Sequence, residues 1–243
     1  VSKNVLITGA ARRIGAACVR LLHSEGCNVI LHYNRSDADA LRLAAELNAV
    51  RADSARLLNA DLSVFSSIQK LAEEALTQWG DVDVLVNNAS LFQSVPIGQV
   101  TEQDWDLTMA SNLKAPFFLS QALWSSLKAK RGCIVNIADI HAETGLPGYP
   151  VYSMAKAGLV AMTKVLAREM APEVRVNAVA PGAILWPEQD VADAERVEIL
   201  KKVALQRCGE ADDIAKAVRF LVGNADYITG QVLTVDGGRT LFR

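Results

Sequence analysis

The chain has 243 residues, of which 51% are hydrophobic and 21% charged, and a formal net charge of −2. That composition is globular rather than disordered, and the length suits one large α/β domain or two small ones. Near-neutrality without a long basic run argues against nucleic acid or anionic lipid as a main partner, and no apolar stretch reaches the roughly 18 uncharged residues of a membrane span.

Short β-branched runs alternate with helical patterns. Residues 4–8 read as a strand and 14–25 as a helix; 27–32 as a strand and 37–48 as a helix rich in Ala and Leu. A weak strand at 56–59 precedes a helix over 66–79, and a strand at 83–87 precedes a long helical region over 102–128. Then come a strand at 133–137, a helix over 152–170, a strand at 175–179, a helix over 211–222 and a last strand at 231–235. Strands apolar on both faces, alternating with helices, predict an α/β fold: one doubly wound, Rossmann-type domain over 1–243 with a mostly parallel seven-stranded sheet. No linker or repeat interrupts it, and 183–208 is expected to hold the substrate loop. The strand-like start at Asn4 leaves no room for a signal peptide. Cys18, Cys27, Cys133 and Cys208 fall in apolar segments without metal-ligand spacing, so buried, reduced thiols of a cytoplasmic protein are expected. Three scattered histidines give no reason to expect a catalytic metal.

The first strand runs into Thr8-Gly-Ala-Ala-Arg-Arg-Ile-Gly15, the place where a dinucleotide fold sets pyrophosphate against a helix N-terminus. The spacing is not GxGxxG. Arg13 stands where a middle glycine is usual, and its guanidinium suits phosphate or ligand oxygens. After the second strand the chain reads His32-Tyr-Asn-Arg-Ser36, with no acid before Asp37. An NAD site puts a carboxylate here for the ribose 2′-hydroxyl, whereas a 2′-phosphate needs a cation, so NADP(H) is the expected cofactor. The expected contacts are Gly9, Arg13, Ile14 and Gly15 in the turn, Asn34, Arg35 and Ser36 after the second strand, and Asp61 and Leu62 after the third. Asp61 suits either the adenine amino group or a helix cap.

Tyr152 and Lys156 stand four residues apart, one helical turn. A tyrosine of ordinary pKa about 10, made more acidic by a lysine ammonium, is a sensible proton donor. Asp139 lies thirteen residues before the tyrosine, at the end of an apolar run.

Thr8-Gly9 with Gly15, Asn87-Asn88-Ala89, Asn112, Tyr152-x-x-x-Lys156, Pro181-Gly182, and the terminal Tyr227-Ile-Thr-Gly230 and Val235-Asp-Gly-Gly238 together resemble the short-chain dehydrogenase/reductase family over essentially the whole chain. The resemblance implies cofactor contacts from Asn88, Ala89, Ser90, Tyr152, Lys156, Pro181 and Gly182. It also implies that Lys156 bonds the nicotinamide ribose and that Asn112 holds a water linking the lysine to solvent. Family members often form tetramers through the long fourth and fifth helices, so a homotetramer is expected.

Asp139 occupies the family's usual serine position. An ionised carboxylate has no proton with which to polarise a carbonyl. With Arg13 and His-Tyr-x-Arg-Ser, this departure resembles the pteridine reductases, in which the aspartate is catalytic. The same resemblance makes Phe92 the aromatic residue that sandwiches a pterin against the nicotinamide, and Ser90 a contact to cofactor and ligand. The pterin or folate would also meet Arg13, Asp139 and Tyr152. Asp139 then orients the phenol, passes on a proton, or carries one itself; alternatively it caps the following turn or pairs with His141. The expected activity is NADPH-dependent reduction of a dihydropterin or dihydrofolate at a C=N bond. The alternatives are a 3-oxoacyl-carrier-protein reductase or a catalytically weak NADP-binding regulatory protein. Trp105, Trp124, Phe117 and Phe118 are expected in the core or at subunit contacts, and Trp186 either lines the ligand site or packs.

Overall fold

The computed structural model describes residues 2–184 and 198–242. Its strands are β1 (Asn4–Ile7), β2 (Asn28–Tyr33), β3 (Ala55–Asn59), β4 (Val84–Asn87), β5 (Cys133–Ile137), β6 (Arg175–Pro181) and β7 (Val232–Val235). They form one seven-stranded sheet in the order β3-β2-β1-β4-β5-β6-β7, and every neighbouring pair is parallel.

The helices are α1 (Arg13–Ser24), α2 (Asp37–Val50), α3 (Phe65–Trp79), α4 (Glu102–Met109), α5 (Ala115–Ala122), α6 (Trp124–Ala129), α7 (Pro150–Glu169) and α8 (Ala211–Gly223). Successive strand residues face opposite sides. Val5 and Ile7 therefore join the core beneath α1, α2 and α8, while Leu6 joins the core beneath α3, α5 and α6. This two-sided demand is why the strands read as unbroken apolar runs.

The long helical region expected over 102–128 is not continuous. A π segment, Ala110–Lys114, follows α4, and the Ala115 N–H reaches back to Ala110 O. The wider turn places Asn112 inward, where its amide donates to Thr108 O and Leu91 O, both at 3.0 Å. Periodicity read over several turns does not resolve a single-turn π insertion, which interrupts the pattern over only one turn.

The sheet order reverses between β1 and β4, and the crevice at their carboxyl ends is where an open α/β sheet binds ligand. A buried polar chain sets α7 beside it. The Asn87 amide donates to Asn136 Oδ1 at 2.9 Å, the Asn136 amide donates to Thr163 Oγ1 at 2.9 Å, and that hydroxyl donates to Leu159 O at 2.8 Å.

Candidate active site

The glycine turn after β1 is closed from several sides. Gly9 has φ +62°, and a Cβ there would come within 2.9 Å of Ala89 Cα. A Cβ on Gly15 would stand 2.2 Å from Gly9 O, so only glycine lets α1 start this close to the turn. Arg13 also takes a left-handed backbone, φ +50°, which is uncommon for a residue with a side chain. The Asn88 amide donates to Thr8 O and Gly9 O at 2.8 and 2.9 Å, and the N–H groups of Asn88 and Ala89 both donate to Thr8 Oγ1 at 3.0 Å. Asn88 thus clasps the turn.

Arg12, which the sequence analysis does not single out, stands against Ser36, one of the residues expected at a 2′-phosphate. Arg12 donates through Nε and Nη2 to Ser36 Oγ at 3.0 and 2.7 Å, and its Nε lies 3.1 Å from Asp39. Arg35 and Asn34 are exposed beside it. Arg12 bridges the glycine turn and the end of β2 across 24 positions of chain, a pairing that only the parallel β1–β2 register creates. The adjacent basic pair Arg12-Arg13 was the available signal. Asp61 accepts from the N–H and Oγ of Ser63 at 2.9 and 2.7 Å, which hold its carboxyl below the usual range. It closes a local turn ahead of α3, whose N-cap is Val64. Leu62 is buried.

At the other side of the crevice, the Tyr152 hydroxyl donates to Asp139 Oδ2 at 2.7 Å. Asp139 Oδ1 accepts from the His141 N–H at 2.8 Å and caps the short 3₁₀ turn Ile140–Ala142. Asp139 thus caps the turn with one oxygen and meets the phenol with the other. The expected acidification of Tyr152 does not appear. Burial and the neighbouring Asp139 charge push the phenol well above its ordinary range. Lys156 Nζ donates to Ile137 O at 2.7 Å and lies 5.7 Å from the Tyr152 ring centroid. Burial brings its pKa down to about 8, against an opposing effect of Asp139.

Ser90 Oγ donates to Asn112 Oδ1 at 2.6 Å. With both amide contacts made to backbone carbonyls, the Asn112 carboxamide serves as a strut between the β4 end and the π segment. Phe92, 53% exposed, stacks on Tyr149 with centroids 4.4 Å apart and planes 13° apart, and meets Tyr152 edge-on at 4.9 Å. Tyr149 was not anticipated; its place one residue before α7 was the available signal. Pro181 pairs with Val235 at the end of β6, and a Cβ on Gly182 would press within 2.6 Å of Asp236.

Elsewhere, Cys18, Cys27 and Cys133 are buried, but Cys208 is only half-buried. Trp105 and Phe117 are 41% and 38% exposed, so neither is a core residue. Trp186 and most of the expected substrate loop lie outside the described residues. Among the described residues no His/Cys/Asp/Glu group has metal-site geometry, and no helix is long and apolar enough to cross a membrane.

The residues fit a nicotinamide dinucleotide. Gly9 and Gly15 keep the turn tight at the start of α1, whose first N–H groups suit a pyrophosphate, and the buried Lys156 ammonium, hydrogen-bonded to Ile137 O, keeps further protons for a ribose. Comparison with known proteins agrees. The family described as enoyl-(acyl carrier protein) reductase matches residues 9–240. The 3-oxoacyl-[acyl-carrier-protein] reductase FabG of Staphylococcus aureus is 36% identical over 98% of both chains. Pteridine reductase 1 of Leishmania tarentolae is 37% identical over 98% of this chain and 96% of that protein. A blue fluorescent protein from a metagenomic library, solved in complex with NADPH, superposes with a TM-score of 0.91 at 39% identity, covering 98% of this chain and 97% of the other.

The chain belongs to the short-chain dehydrogenase/reductase family. Within it, the chain is an NADP(H)-dependent oxidoreductase.

Proposed function

We propose that the chain reduces a dihydropterin or dihydrofolate to the tetrahydro form with NADPH. The observation that carries this reading is the 2.7 Å hydrogen bond from the Tyr152 hydroxyl to Asp139. The relatives alone do not decide, since FabG and pteridine reductase 1 stand at 36% and 37% identity.

When bound, NADPH would supply a hydride for the carbon of the ring C=N bond, and the ring nitrogen would then need one proton. Tyr152 is the proposed donor to that nitrogen; a phenol is protonated at neutral pH, and the upward shift of its pKa reinforces this. Asp139 fixes the direction of the hydroxyl and, through its second oxygen on the His141 amide, is itself fixed. Lys156, held by Ile137 O, places its charge where a transient phenolate benefits. Phe92 offers a flat apolar face to the heterocycle, braced behind by Tyr149. Arg12, Arg35 and Ser36 would hold the 2′-phosphate. A ketone would instead need a second proton donor at position 139, and a carboxylate does not provide one.

The second reading, 3-oxoacyl-carrier-protein reduction, is favoured by the likeness to FabG of S. aureus and of Haemophilus influenzae. NADPH consumption separates the two when dihydrofolate, dihydrobiopterin, dihydromonapterin and an acetoacetyl thioester are assayed side by side. The dihydropterins should be turned over and the thioester left intact; the reverse result overturns the proposal. We also propose a cytoplasmic homotetramer. An apolar trough of about 420 Å³ between the π segment, α5 and α7, lined by Met109, Leu113, Phe117, Phe118, Met162 and Val165, supports self-association on that face.

A further inference from the structure

Residue 32 sits in the middle of an otherwise apolar strand end, yet it is a histidine and only 2% exposed. Both of its ring nitrogens are engaged. The Gly9 N–H donates to His32 Nδ1 at 3.2 Å, and Nε2 faces Ala60 O at 3.1 Å. The next amide of the turn, that of Ala10, donates to the His32 carbonyl at 2.9 Å. Two successive N–H groups of the glycine turn therefore end on this one residue, and its far side holds the backbone next to Asp61.

The chemistry leaves one protonation state. Gly9 N–H can only donate, so Nδ1 must carry a lone pair; Ala60 O can only accept, so Nε2 must carry the hydrogen. A second proton would set Nδ1–H against the Gly9 N–H. Burial, opposed by the Ala60 carbonyl and Asp61, brings the imidazole pKa to about 4, which agrees with the neutral ring that the contacts require. A neutral buried imidazole that does not touch the Asp139–Tyr152 pair has no part in the proton chemistry described above.

We infer that His32 is a positioning residue for the dinucleotide: it couples the pyrophosphate turn after β1 to the adenine-side segment after β3. The turn keeps its φ +62° kink at Gly9 with the Gly9 and Ala10 amides both aimed inward at His32, which sets the path of the chain into α1. The imidazole holds that aim and at the same time fixes Ala60, one residue before Asp61 and two before Leu62. Its action falls on the part common to NADPH and NADH, unlike that of Arg12, Arg35 and Ser36.

Three variants of the full-length protein test this by titration with NADPH and with NADH. His32→Leu removes both contacts and leaves the Gly9 amide buried without an acceptor. Its dissociation constants for the two cofactors should rise by the same factor, about ten- to a hundredfold, as expected for one lost buried hydrogen bond, while kcat at saturating NADPH stays near wild type. His32→Asn restores an acceptor close to the Nδ1 position and should recover most of the affinity. Arg35→Ala, the control, should weaken NADPH alone. Unchanged affinity in His32→Leu, loss confined to NADPH, or an Asn variant no better than Leu would each overturn the inference. If His32→Leu does not fold, the wild-type ¹⁵N spectrum still decides. The ring should be the neutral Nε2–H form at pH 7 with and without NADPH, and an Nδ1–H form or an imidazolium would refute the coupling.

Discussion

The carboxyl ends of β1 and β5 face the same crevice and are built on opposite plans. At β1, polar groups satisfy one another: Thr8, Asn88, His32 and the Gly9 and Ala10 amides form a closed set of hydrogen bonds that fixes the backbone of the turn. At β5 the groups are left reactive. A phenol points at a carboxylate, a buried ammonium has a single carbonyl, and an aromatic ring stands half in solvent. The first plan suits a cofactor shared by many relatives; the second suits, on the proposed function, the choice of one substrate over another. Pyrophosphate is recognised by backbone shape, whereas distinguishing a C=N from a C=O bond takes a particular proton donor at a particular atom.

The contrast is broken most severely at Asp139. Asp139→Ala should lower dihydropterin turnover by ~10²–10⁴-fold, the usual worth of a general acid–base partner, with NADPH affinity preserved because the β1 side is untouched. Asp139→Ser should not restore it. Wild-type turnover of dihydropterins by the serine variant would remove the carboxylate from the mechanism. Strong activity on a ketone alone would make Asp139 the group that excludes carbonyl substrates.

A smaller effect appears as pH dependence. Lys156 has a folded pKa of about 8, below its ordinary 10.5. From about pH 8 to 10.5 the unfolded chain thus binds a proton that the folded chain does not, and stability rises with pH across that window. Below pH 8 both states are protonated and this slope vanishes. Relative to Lys156→Met, the cofactor-free protein should gain on the order of 2 kcal/mol between pH 8 and 10, read by denaturant unfolding at each pH. Tyr152, whose folded pKa is raised, acts in the opposite direction only as the unfolded phenol ionises near pH 10. A flat difference curve would mean that Lys156 is not desolvated as its burial indicates.

On the β1 side, Arg35→Asp should move preference from NADPH toward NADH by about tenfold or more, since it trades a cation for a ribose-accepting carboxylate. Arg12→Ala should weaken NADPH binding by a lesser factor, because Arg12 is partly neutralised by Asp39. If Arg35→Asp keeps a strong NADPH preference while Arg12→Ala loses it, Arg12 is the principal phosphate ligand.

These expectations also mark what could be read without coordinates. Strand and helix alternation, the glycine turn and the Tyr152–Lys156 spacing are local patterns with a physical period, and they lie where the sequence implied. The Asp139–Tyr152 bond was legible as a neighbourhood, because a strand end and a helix start must meet across one loop. The partners of each polar group were not. Arg12 on Ser36, His32 on Gly9 and Ser90 on Asn112 join segments 20 or more residues apart, and only the strand register decides which side chains face one another. The direction of the Tyr152 shift was misjudged for a related reason. Proximity to Lys156 is a sequence fact, whereas the depth of burial and the sharing of the phenol with Asp139 are packing facts.

The finest cut through the comparison is at Phe92. Its ring is held parallel to Tyr149 at 4.4 Å and edge-on to Tyr152 at 4.9 Å, so one face is braced and its orientation set before any ligand binds. Stacking of flat rings contributes roughly 0.5–1.5 kcal/mol beyond burial. Phe92→Ala should therefore weaken dihydropterin binding by about three- to tenfold, while NADPH affinity, which rests on the β1 plan, stays unchanged. Tyr149→Ala removes only the brace, and should cost less than Phe92→Ala because Tyr152 still constrains the ring. Equal losses of pterin and NADPH affinity in Phe92→Ala would show the ring to be structural, and a Tyr149 variant worse than the Phe92 variant would make Tyr149 itself the face that meets the substrate.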